Sequence, residues 1–166
     1  AVLDGGWDAW TKSGYPVTDK QPAAQPTTFN PSLQAQHAVD TGFVASSLAR
    51  REICVLDARS ADRYRGENET LDPVGGHIPG AKNRFFKHNL DTTGRFKPAA
   101  DLAQEYSELL GAHGPSNIVH QCGSGVTACH NLLAMEIAGL HGSKLYPGSW
   151  SEWCSDPQRP VALGDV

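Results

Sequence analysis

Cys122 is the residue of this chain best placed to do chemistry. It stands in the stretch IVHQCGSGVTACHNLLAMEIAGL, residues 118 to 140. The apolar piece from Ile118 to His120 reads as a strand. Beyond the glycines, Val126, Leu132, Leu133, Ile137 and Leu140 recur close to the helical period. The cysteine therefore belongs to a glycine-bearing turn between a strand and a helix, where α/β proteins hold their ligands. Gly123 and Gly125 allow successive backbone N–H groups to converge into an anion-binding nest. The helix start adds unsatisfied N–H groups and the positive end of its dipole. Such a cradle would stabilise a thiolate, and equally a terminal sulfur carried on it. The competing expectation is a buried cysteine acting as a small hydrophobe.

The other chemistry-bearing residues must be brought to that turn by neighbouring elements. Glu52 to Asp57 reads as a strand whose continuous apolar run, Ile53 to Leu56, is the mark of burial on both faces of a parallel sheet. Asp57 and Arg59 then sit at its C-terminal end. Ser60 or Asp62 can start a short helix that carries Arg63 and Arg65. A guanidinium there could fork onto a planar anion such as a carboxylate. Asp57 reads as a residue that ties down its loop. In Gly75 to Asn83, glycine and proline predict a tight turn, with His77 bonded to backbone. His120, Cys122, Cys129 and His130 match no paired zinc-ligand spacing, so no metal is expected.

The remaining elements follow the same alternation. Gln36 to Val39 reads as a strand, and Asp40 or Thr41 caps a helix through Leu48 and Ala49. Pro98 to Leu110 reads as a helix ended by Gly111 or Gly114. Lys144 to Tyr146 reads as a last strand. Trp150 and Trp153 are expected in the core. Residues 2–10, VLDGGWDAW, repeat the pattern of residues 145–153, LYPGSWSEW, and a Pro-Val follows each. The expected organisation is a domain tail over 1–17, an extended linker over 18–30 and a complete domain over 31–166.

Three motifs carry a resemblance. CGSGVTAC resembles the active-site loop of the 3-mercaptopyruvate and thiosulfate sulfurtransferases, the rhodanese superfamily. DARSADRYRG resembles the DxR…R(F/Y)xG signature of that family, and GGHIPGAKN its GHIPGA motif. The resemblance implies an α/β rhodanese-like domain, with a central, mostly parallel sheet and helices on both faces. It implies that Cys122 takes up a sulfur atom as a persulfide and passes it to a thiol or to cyanide. Arg63 would bind the anionic end of a small sulfur donor. Gly123, Gly125, Val126 and Thr127 would cradle the sulfur, with Asp57 and Arg59 in support. No cofactor is implied. CGSGVTA is similar to the mercaptopyruvate branch, since thiosulfate-preferring loops are more basic. In that branch the serine matching Ser124 works with an aspartate and a histidine from a first domain. The tail over 1–17 would then be the end of that missing N-terminal rhodanese-like domain. One departure stands out. The branch commonly has a second substrate arginine before GHIPG, and residues 67–74 contain none; Arg84 or Arg95 could substitute.

The bulk numbers set the frame. At 166 residues, 39% hydrophobic and 19% charged, the chain suits a soluble domain with a proper core. A net charge of -4 argues against a general nucleic-acid binder. No apolar run approaches a membrane span, and the first residues lack a signal-peptide pattern. Four cysteines make no disulfide framework in a chain this size, so reduced thiols and the cytoplasm are expected. Two rival functions remain. A cysteine phosphatase or arsenate reductase needs an arginine six positions after the cysteine, and that position is Ala128. A non-catalytic rhodanese-like binding module would not require Cys122.

Overall fold

A continuous apolar strand must be covered on both faces, and the fold does this with a four-stranded, all-parallel sheet. The computed structural model describes residues 2–32 and 34–165. Its strands are β1 (Cys54–Asp57), β2 (Lys82–Asn83), β3 (Ile118–Gln121) and β4 (Lys144–Leu145), in the order β2-β1-β3-β4. β1 and β3 are the central pair, in register from Cys54↔Ile118 to Asp57↔Gln121, and every residue of both is buried.

Strand alternation sends successive side chains to opposite layers. Val55 and Val119 join Val44, Tyr64, Trp150 and Trp153 under helices α2 (Thr41–Ala49), α3 (Ala61–Arg65) and α6 (Ser149–Cys154). Cys54, Leu56 and Ile118 join Leu102, Tyr106, Leu110, Ala134 and Met135 under α4 (Ala99–Leu110) and α5 (Ala128–Ile137). Leu102, Tyr106 and Leu110 are spaced by one turn, so α4 buries a single stripe. Asp40 caps α2 by accepting from Phe43 N at 2.8 Å. Both tryptophans are buried as expected. Their indole N–H groups donate to the Val74 and Pro160 carbonyls at 2.9 Å, so neither leaves a polar atom stranded.

Two expectations need correction, and one strand escaped the sequence reading. Gln36 to Val39 is not a strand. It is a 3₁₀ turn (Ala35–His37) followed by a single parallel bridge, Ala38↔Leu145. Two-residue β4 gives this segment almost nothing to pair with, and Gln36 and His37 remain in solvent. β2 was not legible, because two residues, Lys82 and Asn83, carry no alternation. Val126 does not lie on the apolar face of α5. It precedes the helix and is 73% exposed.

The N-terminal segment stands apart from this core. Helix α1 (Gly6–Lys12) has no buried residue, and residues 18–30 are exposed and carry neither helix nor strand. Phe96 N ties the segment to the domain by donating to Asp4 Oδ1 at 2.9 Å.

Candidate active site

The strand order defines where a site can form. From β1 the chain moves to β2 on one side, then crosses back to β3 on the other. The connections diverge at the C-terminal ends of β1 and β3, and that divergence opens a crevice. Ala58 follows β1 and Cys122 follows β3. Ala58 N donates to Gln121 O at 2.9 Å, and Ala58, Cys122 and Ala128 pack together. Cys122 is thus fixed at the floor of the crevice and is 2% exposed.

The loop after it is held from outside by the turn into α6. Cys122 N donates to Ser149 Oγ at 3.1 Å, and Ser149 Oγ in turn donates to Tyr146 O at 2.9 Å. Trp150 N and Ser151 N donate to the carbonyls of Cys122 and Gly123 at 3.0 and 2.9 Å. With those carbonyls drawn towards α6, the N–H groups of residues 123 to 128 donate to no protein acceptor among the described residues. A run of unsatisfied donors is what an anion nest requires. Ser149 adopts φ +53°, a conformation that costs a non-glycine residue energy and places its hydroxyl under Cys122. Sequence reading missed Ser149 and Ser151 as positioning residues. Their signal, the PGSWSEW segment, was visible only as a tryptophan repeat.

Gly125 supports the loop rather than lining the cleft. Its φ is +82°, and a Cβ there would stand 2.7 Å from Pro147 O. Gly125→Ala is therefore expected to destabilise the domain by about 2–3 kcal/mol, a fall of roughly 5–10 °C in Tm. Thermal unfolding checks this. An alanine variant as stable as the parent would show that the loop can retreat from Pro147.

The cleft above Cys122 has a volume of about 590 Å³. It brings together Arg63, Cys122, Gly123, Ser124, Val126 and Thr127, all expected at the site from sequence. A methyl group built on Gly123 would lie 3.7 Å from Arg63 Nη2 and 3.8 Å from Nη1, so Arg63 does face the loop. Its guanidinium is not an open fork, however. Nε and Nη2 donate to the Glu69 carboxylate at 2.8–3.1 Å, and Asp72 Oδ2 lies 3.5 Å from Nη2. Only Nη1 has no partner among the described residues. Leu71 N and Asp72 N also donate to Glu69 Oε1, and the charge-assisted bonds from Arg63 hold its acid below the usual carboxylate range against the cost of burial.

Asp57 and Arg59 form a buried pair. Arg59 Nη2 meets Asp57 Oδ2 at 2.6 Å and Gly76 O at 2.7 Å, and the guanidinium stacks over Trp150 at 4.8 Å. Arg59 borders the cleft with its donors already spent. The two residues hold the β1 end, the GGHIPG turn and α6 together. His77 has the expected structural part: its ring lies against Tyr64, centroids 3.8 Å apart, and Nδ1 meets Tyr64 O at 2.9 Å.

Neither arginine suggested as a substitute reaches the cleft. Arg84 pairs with Glu105 at 2.6 Å, bonds Asn89 and stacks over Tyr106. Arg95 lies beside Gly5. The sequence motifs drew attention to arginine and so passed over Lys87, which does line the cleft beside Phe85 and Phe86. His120, at the end of β3, is wholly buried with neither ring nitrogen bonded, and burial pushes its pKa down to about 3. It is therefore neutral and brings no charge to the strand that carries Cys122.

Comparison with known proteins agrees with this architecture. The family model described as a rhodanese-like domain matches residues 42–156. The chain is 45% identical over 164 residues to a Pseudomonas aeruginosa protein named "Probable 3-mercaptopyruvate sulfurtransferase", covering 99% of this chain and 58% of that one. It is 32% identical over 168 residues to the mouse 3-mercaptopyruvate sulfurtransferase, covering 99% and 56%. The chain thus spans just over half the length of these relatives. A crystal structure of an anaerobic ergothioneine biosynthesis enzyme from Chlorobium limicola superposes with a TM-score of 0.85. At 21% identity, covering 99% of this chain and 41% of that one, it shares the fold.

Proposed function

Since the chain belongs to the rhodanese-like domain family, we propose that it is the catalytic domain of a sulfurtransferase working through a persulfide on Cys122. What supports the reading is one cleft that unites Cys122, Arg63 and a loop whose six successive N–H groups, from residue 123 to 128, meet no protein acceptor among the described residues. The Cys122 thiolate attacks the transferable sulfur of a small anionic donor. With thiosulfate the S–S bond breaks and sulfite leaves. With 3-mercaptopyruvate the C–S bond breaks, and the departing pyruvate enolate takes a proton. Ser124 is the loop hydroxyl nearest Cys122 in the chain, and it serves that proton transfer together with partners from a preceding domain. The loop N–H groups hold the charge of the persulfide. An acceptor thiolate or cyanide then takes the terminal sulfur, and the Cys122 thiolate is restored.

The similarity to the Pseudomonas relative favours 3-mercaptopyruvate over thiosulfate as the donor. The loop composition supports the same choice, since Gly123 and Ser124 stand where a thiosulfate loop is basic. Segment 2–17 is assigned to the tail of a preceding rhodanese-like domain. The support is a shared clasp: Trp10 Nε1 donates to Pro16 O at 3.0 Å, as Trp153 Nε1 does to Pro160 O at 2.9 Å. The four free cysteines favour a reducing compartment such as the cytoplasm. No helix among the described residues is long and apolar enough to cross a membrane.

Intact mass after incubation with each donor tests the function. The expected result is a gain of one sulfur, removed by dithiothreitol. In Arg63→Ala the donor concentration for half-maximal sulfuration should rise by roughly tenfold or more, the effect of losing one charge-assisted contact. Arg63→Lys should recover little of it, because a lysine cannot both satisfy Glu69 and present a second edge. Unchanged half-saturation in Arg63→Ala would remove this arginine from donor binding.

A further inference from the structure

The charges around the cleft cancel in number but not in position: the carboxylates of Asp57, Glu69 and Asp72 all gather on Arg59 and Arg63. Arg59 is neutralised by Asp57, and Arg63 by Glu69 with Asp72 close by. Lys87 lines the same cleft and pairs with no carboxylate among the described residues. Its ammonium lies 5.9 Å from the centroid of the Phe85 ring, another wall of the cleft. The lysine stands on a short 3₁₀ turn, Phe86–Asn89, whose position is well fixed. Asn89 is buried and bonds Asn131 Oδ1 at 2.7 Å, while Asn131 Nδ2 donates to Arg84 O at 2.8 Å. Asn131 belongs to α5, so the helix that begins at the Cys122 loop also anchors the wall that carries Lys87.

Building on the sulfurtransferase reading, we infer that Lys87 is a specificity-determining residue: as a cleft cation paired with no carboxylate among the described residues, it draws the anionic end of the donor towards Cys122. The ligand class is a small carboxylate or thiosulfonate bearing a transferable sulfur. Arg63, with one edge free, orients that anion, and Lys87 raises its local concentration.

Alkylation of Cys122 tests this without requiring sulfur transfer. Iodoacetate is an anion of donor size, and iodoacetamide is its neutral counterpart. Modification of the Cys122 peptide is followed by mass spectrometry, so that exposed Cys129 does not contribute. Lys87→Ala should slow iodoacetate by about three- to tenfold, the order of effect of one exposed cation. Its rate with iodoacetamide should stay unchanged. Lys87→Arg should behave as the parent, and salt near ~1 M should erase the difference. Half-maximal sulfuration by thiosulfate or 3-mercaptopyruvate should shift upward by a similar factor in Lys87→Ala. Equal slowing of both reagents, or no slowing of iodoacetate, overturns the inference. If the parent takes no sulfur from either donor while the charge selectivity persists, the sulfurtransferase reading fails and the anion-guiding part of Lys87 stands. Sulfur uptake without charge selectivity overturns Lys87 alone.

Discussion

Cys122→Ser will gain no sulfur from either donor, and its transfer to cyanide or a thiol will fall by roughly 10³-fold or more. The reason is chemical: a serine oxygen at this position cannot form a persulfide, whatever its surroundings. The fold should not register the change. Cys122 N, not its side chain, makes the bond to Ser149, and the carbonyl of Cys122 accepts from Trp150. The thermal midpoint of the variant should stay close to that of the parent, which separates loss of chemistry from loss of structure. Residual transfer above about a hundredth of the parent's would mean that another thiol takes the sulfur. Cys129 is the exposed candidate; Cys54 and Cys154 are buried and their thiols are pushed upward by that burial, so they are poor nucleophiles. The same assay on Cys129→Ser would then decide.

The second large effect is on stability. Arg59→Met should cost about 3–5 kcal/mol, because it strands the Asp57 carboxylate in a fully buried site. It also removes the stacking partner of Trp150 and the donor to Gly76 O. Asp57→Asn alone should be costly for the complementary reason, an uncompensated buried guanidinium. The double variant Asp57→Asn, Arg59→Met should recover part of the loss, since no isolated charge then remains. Chemical denaturation of the four proteins gives the coupling directly. Strictly additive losses would show that the two buried charges are not energetically coupled.

How much of this was legible depends on the kind of information each residue carries. Cys122 could be found because the strand, the glycines and the helix period are local patterns, and they converge on one turn. The DAR and GHIPG segments were legible for the same reason: each motif is a short-range constraint on backbone shape. The short β2 and the bridge at Ala38 were not, because their pairing partners are remote and two residues contain no periodicity. Val126 was misassigned because helix onset shifts by a residue or two without changing an apolar count. Ser149 escaped notice because its task, holding Cys122 N, joins residues 27 positions apart.

Charge shows the division most clearly. The place of Arg63 at the cysteine loop came from the resemblance of DARSADRYRG to the family signature; spacing alone set it, with Arg65, on a short helix after β1. Sequence pattern also determined the parallel sheet, through the unbroken apolar run of β1. Folding, by contrast, fixes which cations remain available to a ligand. Glu69 occupies one edge of Arg63, Asp57 consumes Arg59, Glu105 holds Arg84 away, and Lys87 is left facing the cleft. A count of charges along the chain cannot reveal this. An ion pair depends on distances of a few ångströms between segments that only folding brings together.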